Sequence, residues 1–395
     1  MSSKEFIPYK RHKIAREDIK AVSDALKQEA ISRGPIVQKF EQTLAESCQA
    51  EFAVAFNSAT SALSAAYFAA GLSKFDKVFT TPNTFIGTIA GIPPAQASLE
   101  LIDIQPKTGN LDLLKLQEKI NQPSTRGKEV IVPVHFGGTP VDMAKLSLMI
   151  QRESTVVIED AAHALGSTYL DGSPVGNCHF SDMTVFSFDP IKNITSGEGG
   201  MVTTNSEELA VKLRSYRDNG IQRNPEAPWD YTVTAISGNF HMTEIQAALG
   251  LSQFQRIEEI KKIHRDQIGL YHKELDKTPN LCYLDYSKER DLFYHLFPIL
   301  IDFDKLSITK QDFMLRLQKE GIGTQVHYVP LYKHPAIKAY IHASADDFPG
   351  METYFSQTIS LPLHLHLDKK DIKRVVETVK TLAHDCKQES ELSPD

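Results

Sequence analysis

The sequence predicts an α/β protein with a large domain built on a mostly parallel sheet and a smaller C-terminal α+β domain. From about residue 50 to 205, short β-branched or apolar runs alternate with helical patterns, which is typical of a parallel sheet covered by helices. Several of the runs are almost wholly apolar, as strands buried on both faces are. After Met242, a long helical stretch leads into a second and smaller unit. We therefore expect two domains in this chain of 395 residues.

These changes of pattern divide the chain into four parts. We expect residues 1–50 to form two helices that pack with the small domain, and residues 51–242 to form the large domain. Residues 243–387 are predicted to supply a linking helix and the small domain. Residues 388–395 are acidic, lack aromatic side chains and are predicted to be disordered.

Short runs in both domains are predicted strands. In the large domain they are FAVAFN (52–57), KVFTTP (77–82), LELIDI (99–104), EVIVPVHF (129–136), TVVIEDAA (155–162), DMTVFSF (182–188) and GMVTTN (200–205). Thr243 and Gln246 fit a capping box at the start of a helix expected to run to about residue 277. In the small domain, residues 293–302 and 324–330 are predicted strands, and residues 309–321 and 369–385 are predicted helices.

The composition argues against several classes of protein. The formal net charge of -7 argues against a nucleic acid as the main ligand. No apolar run approaches the roughly 20 residues of a membrane span, and the polar N-terminus does not resemble a secretory signal, so we expect a cytoplasmic protein. His364 and His366 alternate along an apolar run with no cysteine or carboxylate cluster beside them, so we expect no metal site.

Polar and aromatic residues follow the first two strands, at the edge where open α/β sheets bind ligands. Ala59, Thr60 and Ser61 begin a helix and can present free N–H groups to an anion, although on their own they are more typical of an ordinary helix cap. Phe85 lies in the loop after the second strand, and on its own it is more typical of a core residue.

Charged residues follow two later strands. Asp160 ends the fifth strand with His163 three residues on, a pattern that also fits a capping aspartate and a structural histidine. Ser187 and Asp189 lie at the end of the sixth strand, and Lys192 stands between that strand and the turn GEGG.

Taken together, these residues predict a site for pyridoxal 5'-phosphate. Its phosphate binds helix N-terminal amides, its ring stacks on a flat side chain, its ring nitrogen stays protonated beside a carboxylate, and its aldehyde condenses with a lysine. A nucleotide site is disfavoured because the GxxxxGK[ST] motif is absent and no GxGxxG follows the first strand.

Six motifs that span nearly the whole chain carry a family resemblance. They are GPIVQKFE (34–41), FNSATSAL (56–63), TTPNTF (80–85), IEDAAHALG (158–166), FSFDPIKNITSGEGGMVTTN (186–205) and GNFHMTEIQAALGLSQ (238–253). In these motifs the sequence resembles the DegT/StrS family of sugar-nucleotide aminotransferases, which are fold-type I pyridoxal phosphate enzymes. FNSATSAL and GIGTQVHYVPLY (321–332) are most similar to members that use L-glutamate to aminate C4 of a UDP-linked 4-keto-6-deoxy-N-acetylhexosamine.

The resemblance implies a role for each matching position. Lys192 would form the Schiff base and move the proton, and Asp160 would pair with the ring nitrogen. Phe85 would stack on the ring, and His163 would lie near it. The phosphate would be held by Ala59, Thr60 and Ser187, and by Asn239 of the partner subunit in a homodimer. His327 is a weaker candidate for contact with the substrate.

Two positions depart from the family's pattern. Asp189 stands where relatives usually carry a histidine, and His241 where they usually carry an arginine. Both changes bear on the substrate more than on the chemistry, because Lys192 and Asp160 are present. Two alternatives stay open: a pyridoxal phosphate-dependent sugar dehydratase, whose known members replace the lysine with histidine, and a binding or regulatory protein that keeps the fold without turnover.

Overall fold

A computed structural model describes residues 5–120, 127–224, 226–284, 290–306, 308–341 and 343–391. Its strands are β1 (Phe52–Phe56), β2 (Lys77–Thr80), β3 (Ser98–Leu101), β4 (Glu129–Val132), β5 (Thr155–Asp160), β6 (Met183–Ser187), β7 (Gly200–Thr204), β8 (Ile221–Asn224), β9 (Ala227–Val233), β10 (Leu281–Tyr283), β11 (Phe297–Ile301) and β12 (Thr358–Leu361). Its α-helices are α1 (Arg16–Ala25), α2 (Pro35–Cys48), α3 (Ala59–Ala69), α4 (Ile92–Ala95), α5 (Leu113–Ile120), α6 (Met143–Met149), α7 (Glu207–Arg217), α8 (Glu244–Phe254), α9 (Ile257–Leu275), α10 (Lys310–Lys319), α11 (Pro349–Gln357) and α12 (Lys369–Glu391). No helix in these ranges is long and apolar enough to cross a membrane.

The large domain contains one seven-stranded sheet in the order β1-β7-β6-β5-β4-β2-β3. Strand β7 is antiparallel to both of its neighbours, and the other pairs are parallel. The carboxyl ends of β1 to β6 therefore lie at one edge of the sheet. All seven strands predicted for this domain are present, and the prediction of a mostly parallel sheet is confirmed.

The start of β7 joins two of these strand ends. Gly200 lies opposite Phe56 at the end of β1 and opposite Ser187 at the end of β6. A Cβ atom at Gly200 would lie 2.6 Å from the backbone nitrogen of Ala59. Glycine is therefore required here, because only it lets the first turn of α3 approach the sheet so closely.

The small domain is a three-stranded antiparallel sheet, β10-β11-β12, covered by helices. Its predicted first strand and both predicted helices are present as β11, α10 and α12. Residues 324–330 do not form the predicted strand. Only Gln325 bridges to Ser360 of β12, because the amide of Tyr328 donates to the side chain of Asn83 instead and Pro330 has no N–H.

Two further elements differ from the sequence prediction. The capping box of Thr243 and Gln246 is confirmed, but the long helix is divided into α8 and α9, and Arg256 between them donates to both carboxylate oxygens of Asp18 at 2.9 and 2.8 Å. Helix α12 continues to Glu391, so residues 388–391 are helical rather than disordered, and residues 392–395 lie outside the described range.

The N-terminal helices pack on α8, the first part of the predicted linking helix, and on the large domain. Helix α1 packs on α8, and α2 packs between α8 and β1. Phe40 and Leu44 of α2 are fully buried in a core that includes Ile131 of β4 and Phe186 of β6. The apolar side chains on one side of α2 pack against the apolar surface of the sheet. The segment before α1 contacts the small domain instead, since Ile7 pairs with Ile322.

Glu244 fastens α2 to α8. Its buried carboxylate accepts hydrogen bonds from the amides of Gly34 (3.0 Å), Ile36 (2.7 Å) and Val37 (3.2 Å). These amides belong to the first turn of α2, where helical N–H groups have no acceptor within the helix. A Cβ atom at Gly34 would lie 2.9 Å from this carboxylate, so glycine is required for the contact.

We expect Glu244→Ala to lower the free energy of unfolding by about 3 kcal/mol, because it leaves buried amides without an acceptor. Urea denaturation followed by circular dichroism measures this loss. Glu46→Gln is the matched control, since Glu46 lies on the exposed side of α2 and bonds only Gln42. Equal stability of the Glu244 variant and the wild type would contradict this account of the junction.

Candidate active site

The carboxyl edge of the large sheet brings the predicted site residues together around a cleft. The start of α3 follows β1, Phe85 follows β2, Asp160 ends β5, and Lys192 follows β6. Residues 324–330 of the small domain reach the same cleft, where Tyr328 bonds both Asn83 and His163. The cleft is thus formed by loops of both domains.

The first turn of α3 offers unpaired amides at this edge. Ser58 caps the helix by accepting from the amide of Ser61 at 3.2 Å. Ala59 and Thr60 follow the cap, and their amides have no acceptor within the helix. Ser187 is buried opposite Gly200, next to the same turn. This arrangement suits a phosphate group.

Asp160 is a buried carboxylate without a cationic partner. It is 4% exposed, and its Oδ2 accepts from the hydroxyl of Thr88 at 2.7 Å while its Oδ1 accepts from the amide of Ala162 at 3.1 Å. Within the described ranges, no Lys, Arg or His nitrogen lies within 4.0 Å of it. Because an unpaired buried charge is costly, this carboxylate fits a cationic ligand group such as a protonated ring nitrogen.

The neighbouring carboxylate, Glu159, lies in a separate buried network. It bonds Nε2 of His135 at 2.6 Å and accepts from the hydroxyl of Tyr169 at 2.7 Å and from that of Ser181. The two adjacent carboxylates therefore have different partners on opposite sides of the strand, as the alternation of side chains in β5 requires.

His163 is held beside the cleft in a neutral form. Its Nδ1 accepts from the amide of Gly137 at 3.3 Å, and its Nε2 lies 3.0 Å from the hydroxyl of Tyr328. Its ring packs against that of His295 with centroids 4.3 Å apart. Burial, with the nearby charge of Lys192, places the pKa of His163 well below its ordinary value.

Lys192 is held by a turn that Asp189 builds. The amide of Lys192 donates to the carbonyl of Asp189 at 2.9 Å, and the amide of Ile191 donates to its side chain at 2.9 Å. Burial lowers the pKa of the Lys192 amine to about 8, against the opposing effect of Asp160 and Asp189. The Lys192 amine therefore loses its proton at lower pH than an exposed lysine does, which favours the free base that a lysine nucleophile requires.

A second lysine lies close to Lys192. Lys10 donates to the carbonyl of His295 at 2.7 Å and lines a small cavity together with Lys192 and Asn193. Burial and the charge of Lys192 lower the pKa of Lys10 to about 7. Two amines in one desolvated region therefore resist carrying two positive charges.

Two other predicted residues, Phe85 and His327, differ in their exposure to solvent. Phe85 is 59% exposed, with its ring 6.5 Å from that of Tyr328, so one face is open to a ligand. His327 is buried, bonds Ser360 at 2.8 Å and has its pKa lowered by burial to about 3. Its side chain is thus already engaged within the small domain.

Asn239 and His241 lie on a segment beside the start of α3. The carbonyl of Phe240 accepts from the amide of Asn57, while Asn239 itself is exposed. His241 bonds Oδ1 of Asp218 at 3.1 Å, and Arg33 lies 3.1 Å from the same oxygen. The cation that pairs with Asp218 is therefore Arg33.

Several residues of the site escaped the sequence analysis. Thr88, Tyr328, His295, Asn193 and Lys10 contact the predicted residues or line the same cavity. Thr88 lies four residues after Thr84, and the two hydroxyls bond at 2.6 Å. Asn193 and Tyr328 directly follow the predicted residues Lys192 and His327, whereas Lys10 and His295 come from distant parts of the chain. Among the described residues, no group of three His, Cys, Asp or Glu side chains forms a metal site.

The lowered pKa values predict an order of lysine reactivity in the cofactor-free protein. Lys10 should react with acetic anhydride at the lowest pH, Lys192 with a midpoint near pH 8, and Lys20, whose pKa is raised by Asp24, only at higher pH. Mass spectrometry after brief labelling at each pH measures these midpoints.

The variant Asp189→Asn provides the control for this titration. Removing a carboxylate near an ammonium group lowers its pKa, so the midpoint of Lys192 should move to lower pH while that of Lys20 stays fixed. If the labelling midpoint of Lys192 in the wild type lay near that of Lys20, the result would contradict the burial of the Lys192 amine.

Comparison with known proteins assigns the family. A model of the DegT/DnrJ/EryC1/StrS aminotransferase family matches residues 12–380. The chain is 33% identical over 382 residues to the UDP-4-amino-4,6-dideoxy-N-acetyl-beta-L-altrosamine transaminase of Campylobacter jejuni, which covers 97% of this chain and 99% of that protein.

Solved structures agree with this family. Helicobacter pylori PseC, an aminotransferase involved in the biosynthesis of pseudoaminic acid, superposes with a TM-score of 0.88 at 29% identity, covering 96% of this chain and 100% of that one. The PLP-form of the putative sugar aminotransferase Spr1654 from Streptococcus pneumoniae gives 0.87 at 26% identity, covering 96% and 99%. The family model matches nearly the whole chain, and the sheet edge holds a buried carboxylate, a buried lysine and a helix N-terminus; the chain therefore belongs to the DegT/DnrJ/EryC1/StrS family of sugar aminotransferases and uses pyridoxal phosphate as its cofactor.

Proposed function

We propose that the enzyme transfers the amino group of L-glutamate to C4 of a UDP-linked 4-keto-6-deoxy-N-acetylhexosamine. The observation that carries amine transfer is that one cleft contains both Lys192, an amine whose pKa is lowered by burial, and Asp160, a buried carboxylate that needs a cationic partner. The choice of sugar is supported by the similarity to the Campylobacter jejuni transaminase over nearly the whole of both chains.

The residues of the cleft fit the cofactor part by part. We assign the phosphate to the amides of Ala59 and Thr60 and to Ser187, and the ring nitrogen to Asp160. Phe85 offers an open ring face, and His163 lies beside the cleft as an uncharged ring. When bound, pyridoxal phosphate supplies an aldehyde that condenses with amines and a protonated ring that withdraws electrons.

Lys192 carries the proton transfers in this proposal. Its Nζ atom accepts the proton from the α-carbon of glutamate and returns a proton when the amine passes to C4 of the sugar. Burial serves this role because it disfavours the ammonium form. Thr88 and the amide of Ala162 hold Asp160 in one orientation during both halves of the reaction.

A homodimer completes the site in this proposal. Asn239 would bind the cofactor phosphate of the partner subunit, as its exposed position allows. The hairpin of β8 and β9 leads into this segment and exposes apolar side chains, among them Trp229 at 82% and Ile236, just after it, at 97%. Such a surface favours contact with a second copy. The cytoplasmic location stays a prediction.

Asp189 and His327 are the proposed substrate contacts. Asp189 lies close enough to Lys192 and Tyr9 to influence the pKa of both. His327 packs against the ring of Tyr9 at 5.8 Å. Lys192 favours amine transfer over sugar dehydration, because the known dehydratases replace this lysine with histidine. Family membership likewise favours turnover over a purely binding role.

We expect the wild-type protein, loaded with pyridoxal phosphate, to change its absorbance spectrum on addition of L-glutamate. It should then aminate one of a panel of UDP- and dTDP-linked 4-keto sugars, with the product identified by mass spectrometry. Lys192→Ala should abolish transfer, whereas Lys212→Ala, which removes an exposed lysine paired with Glu208, should not. Turnover by the Lys192 variant would end this mechanism.

We expect Asp160→Asn to reduce amine transfer about 100-fold or more, because the ring nitrogen then loses its buried counter-charge. The rate of the half-reaction with glutamate, measured by absorbance, tests this. Asp171→Asn changes an exposed aspartate in the same way and should leave the rate unchanged. A rate within threefold of the wild type in the Asp160 variant would remove this carboxylate from the proposal.

A further inference from the structure

Tyr328 is fixed in the cleft by contacts with both domains. Its amide donates to Oδ1 of Asn83 at 3.1 Å, and its ring lies at 23° to that of His163, with centroids 6.0 Å apart. The ring of Phe85 is 6.5 Å away. The hydroxyl of Tyr328 is therefore held on the small-domain side of the cleft.

The hydrogen bonds of His163 determine where the Tyr328 proton can go. The amide of Gly137 donates to Nδ1 of His163, so this nitrogen carries no proton and Nε2 carries it. Nε2 then donates to the Tyr328 oxygen at 3.0 Å. The tyrosine oxygen is the acceptor in this bond, which leaves its own proton directed elsewhere.

The proton of the Tyr328 hydroxyl has no acceptor in the part of the chain that the structure describes, since its one hydrogen bond is with His163. Burial and the nearby charge of Asp160 raise the pKa of Tyr328, so the hydroxyl keeps this proton at working pH. A donor held at a ligand cleft without a protein acceptor indicates that the ligand supplies one.

We propose that Tyr328 is a further active-site residue, which donates a hydrogen bond to an oxygen atom of the bound ligand. This inference rests on the proposed aminotransferase function. Two oxygens have the required chemistry: the phenolic oxygen of the cofactor ring and the keto oxygen of the acceptor sugar. Both are hydrogen-bond acceptors, and the proposed function brings both to this cleft.

Tyr328→Phe tests the proposal because it removes only the hydroxyl and keeps the ring against His163. If the cofactor oxygen is the acceptor, the variant should bind pyridoxal phosphate about 10-fold or more weakly and shift its absorbance maximum with no substrate present. If the sugar oxygen is the acceptor, the spectrum should be unchanged, and only the half-reaction with keto sugar should slow, by about 10- to 100-fold.

Tyr332→Phe is the matched control: Tyr332 lies four residues after Tyr328, and the substitution removes a hydroxyl that bonds Glu352 instead. The proposal is overturned if Tyr328→Phe matches the wild type within twofold in cofactor affinity, spectrum and both half-reactions. It is also overturned if Tyr332→Phe causes the same changes. The cofactor measurements need no turnover, so a change in cofactor affinity or spectrum supports the proposal even if glutamate or the keto sugars prove not to be substrates.

Discussion

The buried carboxylate of Asp160 is the constraint around which the site is arranged. It bonds a hydroxyl and a backbone amide, and no cation within the described residues lies near enough to pair with it. Keeping such a charge away from water costs several kcal/mol unless a positive group compensates. The fold therefore holds Asp160 ready for a cationic ligand, and Thr84 and Thr88 form the hydrogen-bonded chain that keeps it oriented.

Burial disfavours positive charge in the rest of the site. The pKa values of His163, His295 and His327 are all lowered, with burial as the main cause. Lys10 and Lys192 are shifted in the same direction. The histidines of the cleft are therefore neutral hydrogen-bonding groups. Its two lysines lose their protons more readily than exposed lysines do, so their amines can act as nucleophile and base.

The sequence predicts the parts of this architecture that depend on local pattern. The seven strands of the large sheet follow short β-branched or apolar runs, and the residues that follow their ends, such as Asp160 and Lys192, come together because parallel strands share an edge. The strand predicted at 324–330 fails because a contact with Asn83, distant in the chain, takes the amide of Tyr328 from the ladder. The packing of α2 and the position of Lys10 likewise depend on contacts that no local window contains.

The two departures from the family pattern affect charge at different places. His241 bonds Asp218, and burial lowers the pKa of His241, so the positive charge that binds this aspartate is on Arg33. Asp189 instead places a negative charge beside Lys192. With histidine at position 241, the cation beside Asp218 is Arg33. Asp189 instead changes the electrostatic potential at the amine of Lys192. The charge at Lys192 therefore depends on position 189 rather than on position 241, because of these two residues only Asp189 is among the groups that shift the pKa of Lys192.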